Sequence, residues 1–350
     1  MVTTFELGGR KIGTDQPCFI IAEAGVNHNG RLDLARRLVE VAGRAGADAV
    51  KFQTFRAERL VTADAPKAEY QRRATDAEES QYDMLRRLEL STEAHQELID
   101  YCREQGILFM STPFDEESAD ALEALGVPGF KIASGEITNL PLLAHVARKK
   151  RPMIVSTGMA CLGEVEAADG AISATGNRRF ALLHCVSDYP ALPGDANLRA
   201  MHTLQAAFGV PVGYSDHTEG AAVALAAAAL GACIIEKHFT LDRSLPGPDH
   251  RASVEPEELS RLVQGIRTVE AALGHGRKEP ARAEAATAAA ARKSLVASRD
   301  IPAGTVLTDD LIAVKRPGTG LPPSMRPHLV GRTVRVPIPG GSLLMLEMLA

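Results

Sequence analysis

Two imidazoles stand at matching places in this chain. His217 follows Gly213-Tyr214-Ser215-Asp216, and His238 closes Ile234-Ile235-Glu236-Lys237. Each stretch follows an apolar run, Val210-Pro211-Val212 in one case and Ala232-Cys233 in the other. An apolar run that stops abruptly in polar groups reads as a buried parallel strand reaching the mouth of an α/β fold. Side chains two apart on a strand share a face, so Ser215 points with His217 and Glu236 with His238. Two neutral imidazoles from adjacent strands could hold one divalent metal and leave positions for water or substrate. A single histidine is more often a core side chain bonded to a carbonyl. Two at matching strand ends, flanked by Ser, Asp and Glu, favour a ligand pair.

Other apolar runs end in the same way. Their ends supply Glu23, then Lys51 with Gln53 on one face, then Ser111 and Thr112, Lys131 with Ser134 and Glu136, and Ser156 with Thr157. Lysines, hydroxyls and loop amides are what a substrate bearing phosphate and carboxylate needs, because its charge must be met inside a low-dielectric cup. The competing reading pairs Lys51 and Lys131 with the nearby glutamates as structural salt bridges. Cys185, beside His184, is either a nucleophile or, more in keeping with its type, a buried thiol.

The elements that must carry these groups repeat. Strand candidates Cys18–Glu23, Ala49–Phe55, Ile107–Thr112, Phe130–Ser134, Met153–Thr157 and Ala181–Val186 precede the two histidine strands, and helical patterns such as Glu116–Leu125 and Ala221–Leu230 separate them. Eight strand-then-helix units predict a (β/α)8 TIM barrel, in which chemistry gathers at the C-terminal strand ends. No glycine fingerprint follows the first strand, which disfavours a dinucleotide fold. Phe5 to Ile12, around Gly8-Gly9, predicts a β-hairpin. The excursion from Arg56 to Gln105 exceeds an ordinary connection; its last part is the barrel helix and its earlier part a lid or subunit contact. Residues 1–279 are thus the barrel domain and 280–293 an Ala-rich helical linker. Residues 294–350 are a small β-rich domain with pieces at Leu295–Ala297 and Thr333–Val336, too small to be secure alone.

Composition narrows the function class. A net charge of −5 with only 4% aromatics argues against a nucleic-acid surface. No apolar run approaches the ~18 residues of a membrane span and no signal peptide is evident, so the expectation is a cytoplasmic protein without membrane contact. Five cysteines without a CxxC fit free thiols in a reducing compartment.

Taken together, the motifs resemble the nonulosonic (sialic) acid synthases. The matching stretches are Ile21-Ala22-Glu23 with Asn27-His28-Asn29-Gly30, Lys51-Phe52-Gln53-Thr54-Phe55, Ser111-Thr112-Pro113-Phe114, Lys131 to Glu136, Ser156-Thr157-Gly158-Met159, Gly213 to Thr218, Glu236 to Thr240 and Gly247-Pro248-Asp249-His250. The tail, with Lys315-Arg316-Pro317-Gly318-Thr319-Gly320, is similar to that family's SAF (antifreeze-like, β-clip) domain. The resemblance implies a transferase that condenses phosphoenolpyruvate with an N-acylmannosamine-type aldehyde, giving a nine-carbon 2-keto acid and phosphate by C–O cleavage. It implies a divalent metal, Mn²⁺ or Mg²⁺, on His217 and His238. It assigns phosphoenolpyruvate to Lys51, Thr112, Lys131, Ser134, Ser156 and Ser215, with Glu236 among the binding residues, and sets Gln53, Tyr189 and Asp249 toward the sugar. Glu23 and Glu136 would manage protons and water. A domain-swapped homodimer is implied, in which Arg316 caps the partner's sugar site.

Two positions depart from the family pattern. Ser187 stands where some members carry Asn, and Ala191-Leu192-Pro193 replaces a frequent Thr-Pro. Ser134-Gly135-Glu136 fits the sialate and legionaminate branches, whereas the pseudaminate branch tends to carry an aromatic at the Gly135 position. Pseudaminate synthesis and a non-catalytic sugar-binding or coat homologue remain the alternatives. A further competitor is an iron oxygenase using His217, His238 and Glu236 as a two-His-one-carboxylate triad.

Overall fold

The computed structural model describes residues 4–76 and 78–350. The eight apolar runs form eight parallel strands: β1 Phe19–Gly25, β2 Ala49–Thr54, β3 Leu108–Pro113, β4 Phe130–Ile132, β5 Met153–Ser156, β6 Phe180–Cys185, β7 Val212–Asp216 and β8 Ile234–His238. The ladder runs β3-β2-β1-β8-β7-β6-β5-β4, and β3 lies beside β4 to complete the ring. Barrel helices follow the strands, from Leu32–Ala45 after β1 to Pro256–Leu273 after β8. This is the expected (β/α)8 barrel.

Period-two alternation sorts the side chains. Along β1, Phe19 and Ile21 face the barrel interior while Ile20, Ala22 and Ala24 pack beneath the helices. Glu23 shares the face of Phe19 and Ile21, one step nearer the mouth. The same parity turns Lys51, Thr112, Lys131, Ser156, Cys185, Ser215 and Glu236 inward above Ala49, Met110, Ile154, Ala181, Leu183 and Ile234. The interior is therefore a polar layer stacked on an apolar one. The hairpin pairs Phe5–Leu7 with Arg10–Ile12. Gly8 and Gly9 turn it at φ 56 and 81, as a two-residue hairpin of this hand requires. Its Phe5, Leu7 and Ile12 join the lower apolar layer and close the barrel floor.

Element ends differ in detail from expectation. The fourth strand stops at Ile132, and Ser134–Glu136 is a 3-10 turn rather than a strand end. The excursion carries three short helices, Ala57–Leu60, Glu69–Ala74 and Gln81–Leu88, before the barrel helix Thr92–Glu104. Val26, Phe55, Ala57, Met84, Leu85 and Leu88 give it a small core of its own.

The chain separates into two compact units at Gly274/His275. The second contains the short helix Ala285–Ala291 and an antiparallel pair, Ser294–Ala297 with Ile312–Lys315. Thr333–Val336, expected as a strand, makes only isolated bridges, from Thr333 to Val306 and from Val334 to Leu349. Leu295, Ile301, Leu307, Leu329, Val334 and Leu344 fill its core. Among the described residues no helix is long and apolar enough to cross a membrane.

Candidate active site

The polar layer is a connected set of charges. Lys51 Nζ lies 2.7 Å from Glu23 Oε2 and 3.6 Å from Glu236 Oε2, and donates to Thr112 Oγ1 at 3.1 Å. Lys131 Nζ donates to Ser156 Oγ at 2.7 Å and to its neighbour Ile132's carbonyl at 3.0 Å. It lies 3.5 Å from Glu236 Oε1. Ser215 Oγ also donates to that oxygen, at 2.9 Å. The salt bridges of the competing reading therefore exist. They also gather both lysines, both glutamates and three hydroxyls in one buried layer.

The two carboxylates respond oppositely. Burial pushes Glu23 up to about 7, against the pull of Lys51 and with the push of Glu236. Burial also works to raise Glu236, but Lys131 and Lys51 on two sides outweigh it and hold that carboxyl down to about 2. One group stays charged while the other can exchange a proton near neutrality, a division of roles that acid–base chemistry uses.

Above this layer the imidazoles of His217 and His238 face each other, ring centroids 5.4 Å apart. His217 Nδ1 lies 2.7 Å from the Val186 carbonyl, so this nitrogen is the donor and Nε2 carries the lone pair. Burial works against the His217 cation, but Cys185 and the Val186 carbonyl outweigh it and raise its pKa. Burial, with His217 and Lys51 adding to it, holds His238 well below its ordinary range, and His238 Nδ1 is buried without a hydrogen-bond partner. A tautomer fixed by a carbonyl and an unpartnered buried ring nitrogen fit a divalent ion. Among the described residues no three His, Cys, Asp or Glu side chains form a ligand cluster. Water or substrate would have to complete the shell, as at catalytic sites. The iron-triad reading loses its carboxylate, because Glu236 is engaged by Ser215 and the two lysines.

The remaining residues fall into three groups. Ser134, Ser187 and Cys185 join the cup. Ser134 Oγ accepts from Gly158 N at 3.0 Å and meets Cys185 Sγ at 3.6 Å. A Cβ on Gly158 would lie 2.3 Å from Ser187 Oγ and 2.7 Å from Ser134 Oγ, so only glycine lets the backbone approach both. Asp249 is buried, which raises its pKa to about 6, and its carboxylate converges with those of Glu23 and with His238 around Gly25. Tyr189 stacks on His217 at 4.2 Å. Gln53 is half-buried at the end of β2.

Glu136 lies off the lysine layer, and Arg316 belongs to the second unit. The Glu136 carboxylate accepts from Asn139 at 2.7 Å, and no hydrogen bond or ion pair ties it to the lysine layer among the described residues. Arg316 is exposed in the second unit. Its loop is pinned there by Gly318 N donating to the Ala289 carbonyl at 2.8 Å and by Ser294 Oγ, which donates to Pro317 O at 2.7 Å. Other groups are structural. Asn27 ties the first loop to Phe239 O and Ser253 Oγ at 2.8 and 2.9 Å. Ser111 turns outward to Thr54 at 2.7 Å. His184 faces the Ala196 carbonyl at 2.8 Å, so the imidazole nearest Cys185 is that of His217, 3.8 Å away.

Two features escaped the sequence reading. Tyr70, from the excursion, packs on Tyr189; only its type hinted at this. Asp216 and Lys237, on the outer faces of β7 and β8, form a fully buried pair at 2.8 Å.

Residues 38–278 match the model of the NeuB family and residues 292–350 that of the SAF domain. An N,N'-diacetyllegionaminic acid synthase of Legionella pneumophila is 50% identical over 339 residues, covering 96% of this chain and 95% of the relative. A pseudaminic acid synthase of Campylobacter jejuni is 33% identical over 332 residues, 95% of this chain and 96% of that one. The crystal structure of an N-acetylneuraminic acid synthetase from Leptospira borgpetersenii superposes with a TM-score of 0.74 at 39% identity, over 82% of this chain and 95% of that one.

Proposed function

Because the chain belongs to the NeuB family and ends in a SAF domain, we propose that it condenses phosphoenolpyruvate with an open-chain N-acylated amino sugar. The products are phosphate and a nine-carbon 2-keto acid of the N-acetylneuraminate or N,N'-diacetyllegionaminate type. The observation that carries this reading is the buried lysine–hydroxyl layer directly beneath two facing imidazoles at one barrel mouth. The greater identity to the legionaminic than to the pseudaminic acid synthase supports that branch over the alternative.

Lys51 and Lys131 meet the anionic groups of phosphoenolpyruvate, with Thr112, Ser134, Ser156, Ser187 and Ser215 donating around them. C3 of the enol attacks the aldehyde carbon; the enol π pair becomes the new C–C bond, and the aldehyde oxygen takes a proton. Water adds at C2, and breaking the C2–O bond to phosphorus expels phosphate and leaves the keto group. Glu23, titrating near neutrality beside Lys51, takes and returns the protons of these steps. A divalent metal such as Mn²⁺ or Mg²⁺ on His217 and His238 would supply Lewis-acid polarisation of the acceptor carbonyl. Gln53, Tyr189 and Asp249 orient the sugar. The five free thiols suit a cytoplasmic transferase.

A phosphate-release assay tests the reading. Release should require both phosphoenolpyruvate and an acylated hexosamine, and the product mass should equal their sum plus one water less one phosphoric acid. No release with any member of an acylated hexosamine panel would reject it.

The pH profile is a second check. With Glu23 near 7, kcat/KM should show an inflection close to that pH in the free enzyme, and Glu23→Gln should abolish the inflection along with most turnover. An inflection that persists in the residual activity of the variant assigns it elsewhere.

The assembly is a homodimer in this proposal, with Arg316 completing the partner subunit's sugar site. Mixing Arg316→Ala with His217→Ala protein should restore activity, since one mixed site combines an intact barrel with an intact arginine. Demonstrated subunit exchange without recovery would refute action in trans.

A further inference from the structure

One side of the mouth is built by a segment with no role so far. The excursion helix Glu69–Ala74 lays Tyr70 against Tyr189, ring centroids 4.8 Å apart and planes tilted by 30°. Tyr189 in turn lies 4.2 Å from the His217 ring and meets His238 edge-on at 5.7 Å. A continuous run of rings therefore leads from the excursion to the imidazole pair. Beside it opens a cavity of about 280 Å³, lined by both tyrosines together with Glu69, Asp188, Glu219 and Arg251.

The position of Tyr70 is set from below by a buried cation. The Lys67 side chain is 1% exposed, and its Nζ meets Glu79 Oε2 at 3.0 Å. It also donates to Thr75 Oγ1 at 3.0 Å and to the Asp76 carbonyl at 2.8 Å. A helix of six residues cannot hold itself in water. Here one ammonium ties both of its ends to the chain beyond, so the wall stands before any ligand arrives. A preformed wall spares the ordering cost that a mobile loop would impose on binding.

We propose that Tyr70 is a specificity-determining residue for the acceptor, and that the cavity beside it receives the acceptor's acylamino group. This rests on the functional reading above, which places the reacting aldehyde at the imidazole pair and so brings the neighbouring carbon, which bears the acylamino group, next to Tyr189. An acylamino group has a planar amide and a methyl, both of which pack on aromatic faces. Its N–H and C=O, and the sugar hydroxyls, find partners in Asp188, Glu219 and Arg251. A second acylamino group on the sugar would add contact with the same wall.

Steady-state kinetics with phosphoenolpyruvate and two acceptors, a mono-N-acylated and a 2,4-bis-acylamino hexosamine, test the assignment. Tyr70→Ala should raise the acceptor KM about tenfold, more for the bis-acylamino sugar, and leave the phosphoenolpyruvate KM unchanged. Tyr70→Phe should behave as wild type, because it keeps the ring, and Lys67→Met should shift the acceptor KM in the same direction as Tyr70→Ala. Equal changes in both KM values, or a Tyr70→Phe enzyme as impaired as Tyr70→Ala, would overturn the assignment. So would wild-type turnover with an unchanged acceptor KM in Tyr70→Ala, and that result would spare the functional reading. A wild-type enzyme that releases no phosphate with either acceptor would remove both.

Discussion

Replacing His217 or His238 by alanine is expected to lower kcat/KM by about a hundredfold or more, since Lewis-acid stabilisation of a developing alkoxide is worth several kcal/mol. The facing imidazoles, 5.4 Å apart, are the only two His ligands in the proposed centre, and neither is backed by a third protein ligand among the described residues. Losing one ring leaves a single donor, too few to retain the ion. The fold should survive, because the change removes His217's contacts with the Val186 carbonyl, Ser215 Oγ and Cys185 Sγ in one case and no hydrogen bond of His238 Nδ1 in the other. The measurement is phosphate release before and after chelation, with metal added back, alongside thermal unfolding of each variant. Full wild-type activity in excess chelator would defeat the metal proposal. Inactive histidine variants in a chelator-insensitive enzyme would reassign the rings to proton transfer.

Lys237→Ala is expected to cost about 3–5 kcal/mol of stability, the range for breaking a buried ion pair from one side. Lys237 and Asp216 have fully buried side chains and meet at 2.8 Å. Lys237 also donates to the Thr218 carbonyl, and Asp216 Oδ1 accepts from the Thr218 amide and hydroxyl at 3.0 and 2.8 Å. Alanine at 237 would leave the carboxylate in a dry wall without its cation. Replacing both partners by apolar residues should recover much of the loss. Denaturant unfolding gives the figure, and a loss below about 1 kcal/mol, typical of exposed pairs, would show that water reaches Asp216. The pair also braces Thr218, the residue after His217, so the destabilised variant should lose activity along with stability.

Period-two alternation made most of the cup legible. Glu23, Lys51, Lys131, Ser215 and Glu236 sit at inward parity above apolar residues, and that pattern is written in the strands themselves. The parity that turns Ser215 and His217 inward also turns Asp216 outward. Its partner Lys237 was not legible, because parallel strands joined by long crossovers carry no local signal of register. Glu136 was hard to place from the sequence for a related reason. It lies two residues from Ser134, but a 3-10 turn between them carries its carboxylate to Asn139. Tyr70 was out of reach altogether, since the excursion is held by Lys67 and by tertiary contact rather than by any period.

The hairpin beneath the barrel makes the interior a well with one opening. Phe5, Leu7 and Ile12 seal its lower end, so whatever reaches Lys51 and Lys131 must enter from the mouth, where the two histidine rings and Tyr189 lie. On the proposed reaction, that geometry sets the order of traffic. Phosphoenolpyruvate has to descend first, because an acceptor already resting at the imidazoles would block the shaft. The nine-carbon product, held nearer the rim, must then clear before phosphate can climb out. The floor, which touches no reacting atom, thereby imposes a compulsory sequence on the catalytic cycle. It should be visible as competitive inhibition by phosphate against phosphoenolpyruvate alone.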